Sequence, residues 1–373
     1  MSKGVKVREV MVTMKNRVGL LSMQRVNNYG SFWQAYCLKG LIEGHTQSAV
    51  EFIDIIPGDI QSRTSYKKKF SFKKLGRIPY YCFQHNKNAM FKKYQNLFLN
   101  CSLEPNYSSN YDSIIIGSDE VFNCKQESPW GFSTQLYGDI DNSNVNTYAA
   151  CFGYTTIDYL VENNRTQAII NGFSNIKNMS VRDENSVQIV DSLIGQKPPI
   201  HLDPVLVGTL PQDYPSIKPE NYILIYSYDF RMSDSDVIRQ VKEFAHTEGL
   251  KIISVGFYQD WVDKNVAPNP IELLSYFHNA KYVVTDTFHG TIFSVRTHRR
   301  FLTILRETNE QKLGDLLDRI GMSERKIVAG DVLAERMMMD IDYDAFEVLR
   351  EKEKQRTIQY LKSCIERPVA IEE

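Results

Sequence analysis

The chain has 373 residues, enough for two domains that each bury a full core. Apolar residues make up 42% and charged residues 24%, which is ordinary globular composition and excludes a disordered, collagenous or disulfide-stapled chain. The 44 Lys/Arg balance 45 Asp/Glu, so no whole-chain charge argues for nucleic acid, yet ten of those cations and no acid fall between Ile60 and Leu103.

In chain order, Val5 to Thr13 reads as a β-rich first strand. Ser31 to Ile42 has helical spacing, with Phe32, Tyr36 and Leu38 near one face. Ala49 to Ile56 reads as a strand ended by Pro57-Gly58, and Pro79 to Asn100, within the basic block, has a helical pattern. Ser113 to Ile116 is a short apolar strand running into Gly117-Ser118-Asp119, and Thr147 to Phe152 repeats that form before Gly153. Ile157 to Phe173 reads as helix, Met179 to Arg182 as extended and Glu184 to Leu193 as helix. Six prolines crowd residues 196 to 219 and mark a linker or domain boundary.

The alternation then restarts. Strands are expected at Tyr222 to Tyr226, Lys251 to Gly256, Lys281 to Thr285 and Phe301 to Leu305. Helices are expected at Asp234 to Thr247, Ile271 to His278, from Thr287, and at Gln311 to Ile320. A charge-rich amphipathic helix from about Tyr343 to Ile365 completes the pattern. Such alternation predicts two parallel sheets with helices on both faces. The two domains would face each other across a cleft, with ligands at the carboxyl ends of the strands.

Cys37, Cys82, Cys101, Cys124, Cys151 and Cys364 form no CxxC pair and no Cys/His cluster. They predict small buried side chains in a reducing compartment and no metal site. Met1 to Val10 lacks the apolar core of a signal peptide, and no run reaches 18 apolar residues. The reading is a cytoplasmic protein, one able to sit at the inner face of a membrane.

Five strand-to-helix turns carry the polar residues to inspect. Asn27 to Ser31 enters the first helix with Gly30 for tight backbone and Ser31 as a cap, and free N–H groups there can hold an anion. Gly117 to Glu120 puts a serine and two acids at a strand's carboxyl end, suited to hydroxyl recognition, proton transfer or plain capping. Arg182 ends an apolar strand and offers a fork for carboxylate or phosphate, with an ion pair to Asp183 or Asp203 as the plain alternative. Leu202-Asp203-Pro204 reads as a turn that fixes the hinge. In Thr285 to Thr291, Thr287 can cap a helix, Gly290 permits close approach, and His289 sits at the positive helix end as a proton-exchanging group. The dinucleotide, P-loop, zincin and serine-hydrolase signatures are all absent.

Asn28-Tyr29-Gly30 with Gln34-Ala35-Tyr36 resembles the first motif of the polysaccharide pyruvyl transferase family, and Ile116 to Asn123 is similar to its second. Ala149 to Gly153, Ser180 to Asp183 and Asp203-Pro204 resemble its middle motifs, and Thr285 to Thr291 its most specific stretch. Phe122 stands where the family often has Trp, Asp183 where Glu is common and Ser31 where Asp is common. The resemblance implies an α/β fold of two Rossmann-like domains facing a cleft in a glycosyltransferase-B-like arrangement. Set on the periodicity, this gives an N-terminal domain over 1–197 with a basic and aromatic insertion at 60–103, on the acceptor or membrane side. A proline-rich hinge at 198–219, a C-terminal domain over 220–340 and a C-terminal amphipathic helix at 341–373 follow.

The resemblance further implies phosphoenolpyruvate as donor and a sugar hydroxyl pair as acceptor. The product is a pyruvate ketal on a surface-polysaccharide precursor, with phosphate released and no further cofactor. In the family, positions matching Arg182 and His289 bind the donor, and the matching His is a candidate acid/base. The helix start at Thr287, Gly290 and Thr291 can hold the donor's second anionic group. Asn28, Tyr29, Ser118, Asp119 and Glu120 are expected on the acceptor side, with Asp119 joining His289 in catalysis. Lys67-Lys68-Lys69, Lys73-Lys74, Arg77, Lys87 and Lys92-Lys93 alternate with aromatics. That pattern suits an anionic membrane face or the diphosphate of a polyprenyl-linked acceptor, and the plain alternative is exposed charge over core aromatics. The rival functions are a nucleotide-sugar glycosyltransferase of the same architecture and a non-catalytic glycan- or membrane-binding protein.

Overall fold

The computed structural model describes residues 16–59, 77–125, 128–211, 213–217, 221–306, 309–328 and 330–366. The first half contains β1 (Asn16–Leu21), α1 (Tyr29–His45), β2 (Ser48–Ile53), α2 (Ile78–Leu99), β3 (Ser113–Asp119), β4 (Val145–Ala150), α3 (Ile157–Glu162), α4 (Thr166–Phe173), β5 (Ile176–Asn178), α5 (Glu184–Ile194) and α6 (Pro204–Val207). Its strands are parallel in the order β2-β1-β3-β4-β5. The Ile114-Ile115-Ile116 run makes β3 the central strand, buried along its whole length, as a sheet covered on both faces requires.

The second half contains β6 (Tyr222–Tyr226), α7 (Ser235–Thr247), β7 (Lys251–Val255), β8 (Lys264–Val266), α8 (Pro270–Asn279), β9 (Tyr282–Thr285), α9 (Phe288–Arg296), β10 (Arg300–Ile304), α10 (Glu310–Arg319), β11 (Lys326–Ile327), α11 (Leu333–Met338) and α12 (Tyr343–Ile365). These strands too are parallel, in the order β11-β10-β9-β6-β7-β8. Asn269 starts α8 with a reciprocal capping box to Glu272 and Pro270 in the first turn, a strong local start signal.

Each sheet reverses its winding once, between β1 and β3 in the first and between β6 and β9 in the second. A crevice opens beyond the carboxyl ends of the strands at such a point. One apolar cluster joins the halves: Phe32 and Trp33 of α1 belong to the same buried core as Leu224, Phe257 and Phe293. Tyr29 and Trp33 also donate to the Pro268 and Pro270 carbonyls of the second half, at 2.7 and 3.2 Å. A shared apolar core fixes the two sheets relative to each other. Finally α12 crosses back and packs on α1, α6 and β3, burying Thr357, Ile358, Leu361, Cys364 and Ile365 at helical spacing.

The structure departs from the sequence reading in several places. The expected strand at Val5 to Thr13 lies outside the described residues, and β1 follows it instead. The helix expected over Ile157 to Phe173 is two helices, broken at Asn163-Asn164, where Asn164 takes a φ of 53°, a left-handed value that Asn tolerates. Met179 to Arg182 is not a strand; only Val181 bridges to Ala150 and Ile200. Within the stretch expected as a hinge, residues 201–208 are buried. There Pro204 starts a helical turn and Val205-Leu206-Val207 fill the space beside α1, α9 and α12.

The basic block divides as well. Lys67 to Lys69 and Lys73-Lys74 lie outside the described residues. Lys87 is buried, with its ammonium 4.0 Å from the Phe257 ring centroid, and burial pushes it down to about 8. Phe83 and Phe91 are buried too, whereas Ile78, Tyr81, Lys92, Lys93 and Leu97 of α2 are exposed.

Candidate active site

The two crevices open onto one cleft of about 640 Å³. From the first half it is lined by Asn28, Ser31, Asp119, Glu120, Asn123 and Gly153 among others, and from the second by Tyr228, Arg231, Asp286, Phe288, His289 and Lys312.

His289 occupies the first turn of α9. Thr287 caps that helix by accepting from the Gly290 N–H at 2.9 Å, which fixes the turn that carries the imidazole. The ring crosses to the first half and lies against Gly30, where any side chain would overlap it. Gly30 is therefore the seat of the imidazole, a more specific role than tight backbone. Asp203 approaches His289 Nε2 at 3.4 Å and receives Arg182 Nη1 at 3.0 Å. Burial alone would raise the Asp203 carboxyl, but His289 and Arg182 outweigh it and hold it at about 2.

Asp119 ends β3 with a φ of 74°, a conformation uncommon outside glycine. Its carboxylate accepts from Ser31 Oγ at 2.9 Å and lies 3.4 Å from Arg182 Nη1. Ser31 thus serves the acid across the sheet edge, though it was expected to cap the helix. The cap of α1 is Asn28, which accepts from the Gly30 N–H at 2.8 Å and reaches Tyr228 OH at 3.5 Å. Glu120 pairs with Lys312 of α10 and accepts from Asn123 Nδ2 at 2.7 Å. Burial would raise Glu120, but Lys312 and Arg182 hold it down at about 2.

Five of the expected site residues do not line the cleft: Arg182, Tyr29, Ser118, Gly290 and Thr291. Arg182 is buried behind Phe288, its guanidinium 4.3 Å from that ring centroid and bonded to Asp119 and Asp203. Of the ion-pair alternative the Asp203 contact is present, with Asp119 added; Nη1 makes both contacts, and Nε and Nη2 are buried without a hydrogen-bond partner. Tyr29 is fully buried, its hydroxyl spent on Pro268 O. Ser118 is buried and donates to Gln34 Oε1 at 2.7 Å. Thr291 is buried against the Thr287 carbonyl and Thr303. The Gly290 N–H, expected to meet the donor, is consumed by the Thr287 cap. His289, Thr287, Asn28, Asp119 and Glu120 do line the cleft.

Sequence reasoning missed the second half's cations. Arg231 bonds Asp286 through Nε at 3.2 Å and Nη2 at 3.1 Å, and Arg306 pairs with the same carboxylate. Burial and the neighbouring Arg231 push Arg306 down to about 10, the mark of two guanidiniums crowded on one acid. Lys312 lies 4.7 Å from the Phe288 ring centroid. Asp203 was visible as a turn before proline and as one of two ion-pair candidates for Arg182, and Lys312 only as one helical lysine.

Among the described residues no His/Cys/Asp/Glu group is arranged to hold a metal ion, and no helix is long and apolar enough to cross a membrane. The chain is similar to the UDP co-structure of S. aureus MnaA, at 10% identity over 94% of this chain and 96% of that one, TM-score 0.48. It is also similar to Arabidopsis thaliana UGT89C1, at 10% identity over 94% and 100%, TM-score 0.47. A third is the Streptomyces sp. SF2575 glycosyltransferase SsfS6 complexed with thymidine diphosphate, at 9% identity over 93% and 99%, TM-score 0.47. Among curated proteins none matches the chain. The family model described as polysaccharide pyruvyl transferase matches residues 28–308, most of the chain and all the turns that build the cleft, and the chain belongs to that family.

Proposed function

We propose that the protein transfers pyruvate from phosphoenolpyruvate to two hydroxyls of one sugar in a surface-polysaccharide precursor, forming a ketal and releasing phosphate. The observation that carries this reading is His289 held between Gly30 and Asp203 at the meeting of the two crevices. Asp203 stands beside Nε2 and Gly30 packs against the Nδ1 side of the ring, which fixes the imidazole as the proton-exchanging group of the cleft.

In the reaction the donor's methylene carbon gains a proton from His289, which leaves an oxocarbenium-like centre. One sugar hydroxyl adds there and loses its proton to Asp119. The carbon–oxygen bond to phosphate then breaks as Asp119 gives its proton to the departing phosphate, and the second hydroxyl closes the ring and passes its proton to His289. Ser31 and Arg182 hold Asp119 in place for this. The cations of the second half suit the donor's phosphate and carboxylate.

Titration calorimetry with phosphoenolpyruvate and with UDP- and CMP-sugars tests the reading. Phosphoenolpyruvate is expected to bind wild type and to bind His289→Ala more weakly. Binding of a nucleotide sugar alone would make the protein a glycosyltransferase instead. On the same reading the acceptor side works in the cytoplasm beside an anionic membrane surface, which the exposed Lys92, Lys93, Ile78, Tyr81 and Leu97 of α2 support. Flotation with anionic vesicles is expected to recover more protein than flotation with neutral ones; equal recovery would remove the membrane from the account.

A further inference from the structure

A second hollow, of about 130 Å³, adjoins the cleft. It is built just beyond the carboxyl ends of β1 and β2, from Gln24, Arg25 and Asp54, and Met23 and Trp130 line both spaces. Trp130 therefore stands between the two, with its half-buried ring packed on the core of the first sheet. Its backbone is fastened to the segment after β2. The Gly58 N–H donates to Trp130 O at 2.9 Å, Asp59 and Phe132 exchange backbone bonds at 3.1 and 3.0 Å, and a side chain at Gly58 would overlap Phe132 O. The ring is in place before any ligand arrives, so no ordering cost falls on binding.

The hollow has the chemistry of a neutral polyol site. Arg25 donates to both oxygens of Asp54 and to Ser102 O, so its charge is cancelled within the wall. Gln24 Nε2 donates to Ile53 O at 2.9 Å, and Gln24 Oε1 is buried with no partner. Tyr107 adds a half-exposed phenol. Aromatic faces for C–H groups, a hydroxyl and an open amide oxygen suit a sugar ring, whereas a guanidinium already paired does not suit a phosphate. The volume lies below the roughly 300 Å³ at which pockets for larger ligands begin, so it takes one ring and not a nucleotide.

We propose that the acceptor is an oligosaccharide, and that the hollow beyond Trp130 seats a sugar unit further along the chain than the one that receives the ketal. The proposal rests on the sugar-acceptor reading of the cleft. The modified sugar lies at Asp119 and Glu120, the glycan passes over Trp130, and the further unit sets a hydroxyl on Gln24 Oε1. No covalent bond changes. Trp130 and Gln24 select the acceptor and take no part in the proton transfers.

Mono-, di- and trisaccharides of glucose, galactose, mannose, N-acetylglucosamine and N-acetylmannosamine are titrated into wild type and Trp130→Ala, with and without phosphoenolpyruvate. Wild type is expected to hold at least one di- or trisaccharide about tenfold tighter than its terminal monosaccharide, and Trp130→Ala to lose that gain while keeping its affinity for the monosaccharide. Should Trp130→Ala fail to fold, Tyr107→Ala, a change at a half-exposed ring, is expected to lose about threefold of the same gain.

Monosaccharides held as tightly as their oligomers, or an oligomer preference unchanged in the variant that folds, overturn the proposal and leave the sugar-acceptor reading standing. No binding of any of these glycans by wild type, with or without phosphoenolpyruvate, overturns both.

Discussion

The two crevices that meet at the cleft lie at the winding reversals of two different parallel sheets, one of five strands and one of six, and they differ in charge. The first half presents Asp119 and Glu120, flanked by the amides of Asn28 and Asn123, and its buried Arg182 meets Asp119 and Asp203 through Nη1. The second half presents Arg231 and Lys312 beside the carboxylates of Asp286 and Asp315, with His289 in the first turn of α9. A doubly wound sheet supplies a place for a ligand, and the residues at the strand ends decide which ligand. In the proposed reaction the carboxylates would accept from the sugar's hydroxyls and the cations would meet the donor's phosphate.

The comparison is broken most completely by removing the group at the seam. His289→Ala is expected to lower turnover by about a hundredfold or more while circular dichroism stays that of wild type. Turnover within a few-fold of wild type would detach His289 from the chemistry. Gly30→Ala keeps the imidazole but drives a methyl group into it. A displaced catalytic group of this kind costs about tenfold to a hundredfold, and the loss should appear in kcat. Wild-type kcat in a folded Gly30→Ala protein would show that the seat does not matter.

Asp203→Asn sharpens the comparison through stability. A carboxyl whose folded value lies near 2, below its ordinary 3.8, adds stability above that ordinary value and loses it as pH falls toward 2. The variant is therefore expected to be less stable than wild type at neutral pH and to lose less on acidification to about pH 3. Urea unfolding at the two pH values measures both changes. Parallel losses in the two proteins would mean that the carboxylate gains nothing from His289 and Arg182.

Much of this was legible from residue order. The strand ends at Asp119 and Thr285, the cap at Thr287 and the position of His289 all follow from apolar runs that stop at small polar residues. What the order could not show is direction. Arg182 ends an apolar stretch as expected, yet its side chain turns inward, because two carboxylates from distant segments converge there. Asp203 gives the same signal as any aspartate before proline, and only the packing of α6 against α9 brings it to the imidazole. Lys312 is one basic residue on a helix with a strongly polar face, and nothing local distinguishes it. Tyr29 misled for the opposite reason: it lies within a motif, but its ring fills the joint between the halves, beside Phe91 and Phe257.

The return of α12 to the first half has a consequence for synthesis. Ser113 and Asn146 of the first sheet donate to the Cys364 carbonyl at 3.1 and 3.3 Å, and Tyr360 donates to Thr147 O at 2.7 Å. The residues that open the first sheet are thus closed over by residues translated more than two hundred positions later. As the chain leaves the ribosome, the first half stays uncovered on that side until the second half has been made. A nascent chain of this protein cannot finish its domains one at a time, and holding that bare face apart from other chains is work for a chaperone.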